Sequence, residues 1–163
     1  MYKRQDVSNG SLEIVASTDG QFPRASVPTA VLDGQSSITS TFWLRTSKTG
    51  PQGIVSAAHG SLTNGYTILF PNDDTLNIFE NNSTIASFAL PESIADNQYH
   101  HFAVTRDTTE AEVSLYLDGE LVGTVTSSQT GTLSADYIAL GQDQDDTAPN
   151  TACLLYTSPS PRD

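Results

Sequence analysis

The chain has 163 residues, and its 7 basic against 19 acidic side chains give a net charge of −12. That length suits one domain with a real core, and the charge repels nucleic-acid phosphates and anionic lipid, so a nucleic-acid partner is excluded. No apolar run approaches the ~20 residues of a spanning helix, which excludes membrane insertion by that route.

The termini come first. Met1-Tyr2-Lys3-Arg4-Gln5 and Cys153-Leu154-Leu155-Tyr156 can be encoded by the two arms of one inverted DNA repeat. That repeat resembles the mosaic end of a transposon-type sequencing adaptor, continued by residues 157–163. Residues 1–5 and 153–163 are therefore expected to be translated adaptor, and 6–152 the body of the domain, cut short at its C-terminal end. Setting aside Lys3, Arg4, Arg162 and Asp163 leaves 4 basic and 18 acidic residues, a net charge of −14. The only cysteine, Cys153, and the only methionine, Met1, also lie in those ends, so the body offers no thiol to pair, bind metal or attack a substrate.

Within the body, 12–16 is a short strand followed by a Thr18-Asp19-Gly20 loop. Residues 27–32 are apolar but carry Pro28, which suits an extended edge segment. Asp33-Gly34 turns the chain. Ile38–Arg45 alternates cleanly: Ile38, Ser40, Phe42 and Leu44 share the face expected in the core, and Thr39, Thr41, Trp43 and Arg45 share the other. Trp43, the sole tryptophan, is nevertheless expected between the sheet layers because of its size and hydrophobicity.

After the turn at 48–51, a small-residue strand covers 53–58, and a polar loop, 59–65, delivers the strand 66–70. Residues 75–79 and 84–90 form a hairpin across Glu80-Asn81-Asn82-Ser83, where two overlapping glycosylation sequons also sit. A connection at 91–97 has room for one helical turn. The strands 101–105 and 113–117 follow, then Asp118-Gly119, a type I′ hairpin signal, and the returning strand 120–126. After a turn at 129–131, the strand 137–140 empties into Gly141-Gln142-Asp143-Gln144-Asp145-Asp146.

Ten or so short strands, turn signals between them and no helical periodicity predict an all-β fold: an antiparallel two-sheet jelly-roll sandwich. Three motifs are more specific: Thr41-Phe42-Trp43-Leu44-Arg45-Thr46, the run from Asn97 through His100-His101-Phe102 to Asp107, and Val113-Ser114-Leu115-Tyr116-Leu117-Asp118-Gly119. Together they resemble core motifs of concanavalin A-like jelly rolls, within which laminin G-like and pentraxin-like domains are the nearest match. The resemblance covers about 12–146 and implies a C-terminally incomplete domain of that type over 6–152. It also implies that Thr41 and Ala103 occupy the positions that pentraxins join by a disulfide, which cannot form here.

The loop 142–146 supplies three carboxylates and two amides, oxygen donors of the kind calcium takes. An extended backbone would put Asp143 and Asp145 on one side, with the Gln144 carbonyl between them. Solvation of a turn is the competing explanation of the same composition. Leu140-Gly141-Gln142-Asp143-Gln144-Asp145 resembles the pentraxin calcium loop, which implies Ca2+ held by the side chains of Asp143 and Asp145, the Gln144 carbonyl and the Asn64 amide oxygen. Thr63 stands where pentraxins carry an acidic ligand, so affinity is expected to be weak.

His100-His101 point to opposite strand faces and cannot easily share a transition metal. Glycoside hydrolases of related fold need two carboxylic acids on one face, and their Glu-x-Asp-x-x-Glu strand motif is absent. The expectation is a non-enzymatic, calcium-dependent recognition or adhesion module of a larger secreted or cell-surface protein, with a carbohydrate or extracellular protein as ligand. The alternatives are a structural spacer without ligand and a fragment of a polysaccharide-degrading glycoside hydrolase.

Overall fold

The structure, a computed structural model, describes residues 25–60 and 62–141. Ten strands appear in order: β1 (Ala25–Ser26), β2 (Ile38–Arg45), β3 (Gln52–His59), β4 (Leu62–Asn72), β5 (Thr75–Glu80), β6 (Ser83–Ala89), β7 (Tyr99–Asp107), β8 (Glu112–Leu117), β9 (Glu120–Thr126) and β10 (Tyr137–Leu140). They build two antiparallel sheets, a six-stranded one ordered β1-β10-β3-β4-β5-β6 and a four-stranded one ordered β2-β7-β8-β9. This is the jelly-roll sandwich that the alternating sequence predicts.

The inward faces explain the pairing. Leu44, Phe102, Val104 and Leu115 from the smaller sheet meet Ile68, Phe70, Leu76, Ile78 and Ile138 from the larger, all essentially sequestered from water. Phe102 joins the layers: its ring stacks on Phe42 at 5.3 Å and meets the edge of Phe70 at 5.3 Å across the sandwich. On the β6/β9 side the sheets approach so closely that a Cβ on Gly123 would stand 3.5 Å from the Phe88 ring.

Arg106 on β7 and Glu80 on β5 form a second bridge, made of charge instead of apolar surface. Each is 1% exposed. The guanidinium grips the carboxylate with two bonds, Nε to Oε2 at 2.7 Å and Nη2 to Oε1 at 2.8 Å. Its remaining donors reach the carbonyls of Ser36, Gln129 (3.3 Å) and Gly131 (2.9 Å), so one side chain ties both sheets to two loops. Nearby Tyr66 is fully buried and its hydroxyl finds no partner of hydrogen-bond geometry. Burial, opposed weakly by Ser40 and Arg106, pushes its pKa up to about 12.

Several local expectations need correction. Residues 27–32 do not run extended: after Pro28 the chain makes a 3-10 turn, Thr29–Val31, with the Leu32 and Asp33 amides both donating to the Thr29 carbonyl. Proline presets φ for that turn as readily as for an edge strand. The expected polar loop 59–65 is mostly strand, because β3 runs on to His59 and β4 begins at Leu62. Gly65 permits this, since a Cβ there would press against the carbonyl oxygens of Ala57 at 3.0 Å and Ser134 at 3.1 Å. The 91–97 connection carries no helical turn.

Other expectations hold. Asn81 and Asn82 both adopt positive φ, 49° and 62°, and make the two-residue turn between β5 and β6. Asp118 and Gly119, at 51° and 88°, do the same between β8 and β9. Thr41 and Ala103, the positions implied by the family resemblance, stand directly opposite each other on β2 and β7.

Candidate binding face

The outer face of the four-stranded sheet follows from strand parity. Leu44 and Phe102 point inward, so Trp43, Arg45, Tyr99, His101 and Ala103 point out. The register then stacks them in rows: Arg45 opposite Tyr99, Trp43 opposite His101, and Thr41, Ala103, Tyr116 and Leu121 across all four strands. Trp43 is thus half-buried on the outside and not between the layers, a correction to the expectation from hydrophobicity. Its indole leans on the His101 imidazole at 5.0 Å and 52°. The Arg45 guanidinium lies over the Tyr99 ring at 5.2 Å. Leu121, 56% exposed, continues the apolar surface on β9.

At one rim of this face sits a charged cluster that the sequence did not disclose. Asp118, in the β8–β9 turn, receives the His101 amide at 2.7 Å and contacts His100 Nδ1 at 2.8 Å. His100 Nε2 meets Asp96 at 3.3 Å. Burial disfavours the imidazolium, but the hydrogen bonds and charges of Asp118 and Asp96 outweigh it and raise the His100 pKa above its ordinary value. Asp118, despite partial burial, is lowered by His100 and the His101 amide. Asp96 is lowered chiefly by the Gln98 amide, with His100 adding to it. His100 and His101 diverge as expected, one into this cluster and one onto Trp43.

Next to β2 lies an apolar cleft of about 500 Å³, lined by Val27, Leu32, Phe42, Leu44, Ile138 and Gly141 among others. Among the described residues it is lined by no titratable side chain.

The calcium donors are placed unevenly. Asp143, Gln144 and Asp145 lie outside the described residues. Asn64 belongs to β4, beside the β3–β4 turn and near Ala58. Gly141, φ 78°, leaves β10 at the other end of β3, donating to the Ile54 carbonyl at 3.0 Å. Four residues of β3 and the width of two strands put Asn64 on the order of 16 Å from Gly141. The donors suit calcium chemically, and among the described residues no cluster of three His, Cys, Asp or Glu could hold a metal instead.

A family profile described as the Concanavalin A-like lectin/glucanases superfamily, of laminin G type, matches residues 19–154. Among solved structures, a heptameric SAP-like pentraxin from Limulus polyphemus superposes with a TM-score of 0.71 at 17% identity, covering 90% of this chain and 71% of that one. Mouse laminin alpha1 chain domains LG4-5 give 0.68 at 15% identity, over 92% of this chain and 40% of that one. The Ruminococcus gnavus IT-sialidase CBM40 bound to alpha2,3 sialyllactose gives 0.57 at 15% identity, over 79% and 75%. No curated protein sequence matches the chain. With most of its length matched by the profile and both sheets in place, the chain belongs to the concanavalin A-like lectin/glucanase superfamily as a laminin G-like domain.

Proposed function

We propose that this domain is a non-enzymatic recognition or adhesion module of a larger secreted or cell-surface protein, binding a carbohydrate or an extracellular protein. One observation carries the reading: among the described residues the strands of the six-stranded sheet hold a single carboxylate, Glu80, and that one is buried and neutralised by Arg106. Hydrolysis of a glycosidic bond needs two carboxyl groups facing one sugar, about 5 Å apart for retention and up to about 9.5 Å for inversion. Outward aromatic rings on the other sheet suit binding instead. The named neighbours, a pentraxin, a laminin pair and a sialyllactose-bound carbohydrate-binding module, support the same reading. No helix among the described residues is long and apolar enough to cross a membrane.

Calcium dependence belongs to this proposal through Asp143, Asp145 and the Gln144 carbonyl, with Asn64 as the fourth donor. A bound Ca2+ would supply charge neutralisation for the acidic loop and an open coordination position for a ligand oxygen. The test is calorimetry with calcium on the full chain, paired with melting in calcium and in chelator. Binding that disappears in Asp143→Ala plus Asp145→Ala supports the assignment; micromolar binding that survives the double substitution rejects it. Reducing-sugar release from β-glucan would overturn the non-enzymatic reading.

A further inference from the structure

We propose that the outer face of the four-stranded sheet is a calcium-independent site for an acidic saccharide, with the pyranose ring seated on Trp43 and its carboxylate on Arg45. This rests on the recognition reading but places the ligand on residues separate from the 142–146 loop.

Of the described lysines and arginines, Arg45 and Lys48 make no ion pair, and of these two it is Arg45 that lies against an outward aromatic ring. Arg106 is consumed by Glu80, His100 by Asp96 and Asp118, and His59 by Asp136 at 3.2 Å. Arg45 is exposed and has no carboxylate or carbonyl acceptor among the described residues, in a chain of net charge −12. Among the described residues it contacts the Tyr99 ring, whose centroid lies 5.2 Å from the guanidinium carbon. The ring contact occupies one side of the guanidinium, and the planar N–H edge of a guanidinium matches a carboxylate in two parallel bonds.

Spacing supplies the rest. Trp43 and Arg45 are two residues apart on one strand face, roughly 7 Å, about the width of one sugar ring with its substituent. The indole is fixed by His101 at 5.0 Å, so neither contact has to be organised on binding. A neutral sugar would keep the ring contact and lose the charged one. The guanidinium therefore favours an anionic sugar over a neutral one through a local, bidentate contact that acts against the net charge of the chain.

Trp43 is the only tryptophan, so its fluorescence reports on this face alone. The experiment titrates the full chain, in chelator, with sialyllactose, a glucuronic-acid disaccharide and lactose. A saturable change with at least one acidic sugar, at concentrations about tenfold below those lactose needs, is expected. Arg45→Gln should remove that preference while leaving the weak lactose response, Arg45→Lys should keep part of it, and high salt should weaken it. Silence of Trp43 towards both acidic sugars at millimolar concentration overturns the proposal, as does an unchanged titration in Arg45→Gln. If calorimetry finds glycan or protein binding while Trp43 stays silent, this site is wrong and the recognition reading stands. Failure to bind anything, with or without calcium, removes both.

Discussion

Arg106 and Arg45 project from adjacent strands of one sheet, yet they differ in every physical respect. Arg106 points inward, is 1% exposed, and spends its donors on Glu80 and three carbonyls. Arg45 points outward and rests on Tyr99, with no ion pair among the described residues. Parity alone separates them, since inward residues of β7 face the opposite sheet and outward residues of β2 face water. The difference teaches where charge is structural in this domain and where it is available.

If that division is right, removing the inward arginine should be the most damaging change. Arg106→Leu leaves the Glu80 carboxylate buried without a partner, at a cost of about 3–5 kcal/mol, read as a lowered urea midpoint. Replacing Glu80 as well should recover much of the loss, because the penalty lies in the orphaned charge more than in the missing attraction. A single substitution that costs under ~1 kcal/mol would show that water reaches the pair.

A steric change sits next in size. Gly65→Ala puts a methyl group against two backbone oxygens, at 3.0 and 3.1 Å, and backbone within a sheet has little room to yield. A loss of about 1–3 kcal/mol is expected by the same denaturation. A neutral result would mean that the β3–β4 turn can slide, and with it the position of Asn64.

These positions also show what the sequence disclosed. Alternation located β2, β7 and β8, and the turn residues at Glu80-Asn81-Asn82-Ser83 and Asp118-Gly119 located two hairpins, because both signals are local. Glu80 read as a turn residue, whereas it is the inward-facing end of β5, and its partner Arg106 lies 26 residues away, beyond any local pattern. Even so, a signal existed. Arg106 shares parity with Phe102 and Val104, and an inward cation must find a carboxylate. Trp43 teaches the converse, since its parity with Thr41 and Arg45 placed it outside and was outweighed by its hydrophobicity. The His100 cluster joins a strand to two separate loops, so no spacing rule could find it. The loop Asp143 to Asp145 was proposed from composition and resemblance, and only its point of departure at Gly141 is described.

The rim between the two arginines' faces should respond to pH in a defined sense. His100 has a raised pKa, so its contribution is full below the ordinary value of 6.5 and is lost as pH rises through the folded value. Asp118 and Asp96 are lowered, so theirs is present above the ordinary 3.8 and is lost as pH falls through their folded values. The cluster therefore stabilises most between about pH 4 and 6.5. The melting temperature of His100→Gln should trail the parent most near pH 5 and approach it above pH 8. A constant gap across that range would mean that His100 acts by packing alone.

The smallest stability effect, and the one that most sharpens the contrast, belongs to Arg45. Its stack on Tyr99 is exposed, and a surface cation–π contact contributes only about 0.5–1 kcal/mol. Arg45→Gln should therefore shift the urea midpoint by roughly a tenth to a third of what Arg106→Leu does, with an unchanged slope. The two arginines would then rank in opposite order for folding and for ligand: one substitution strongly destabilises the domain, the other leaves it stable and blind to an acidic sugar. A large loss of stability in Arg45→Gln would make the outer face a structural element. Any binding defect in that variant would then have to be separated from unfolding by measuring it well below the melting temperature.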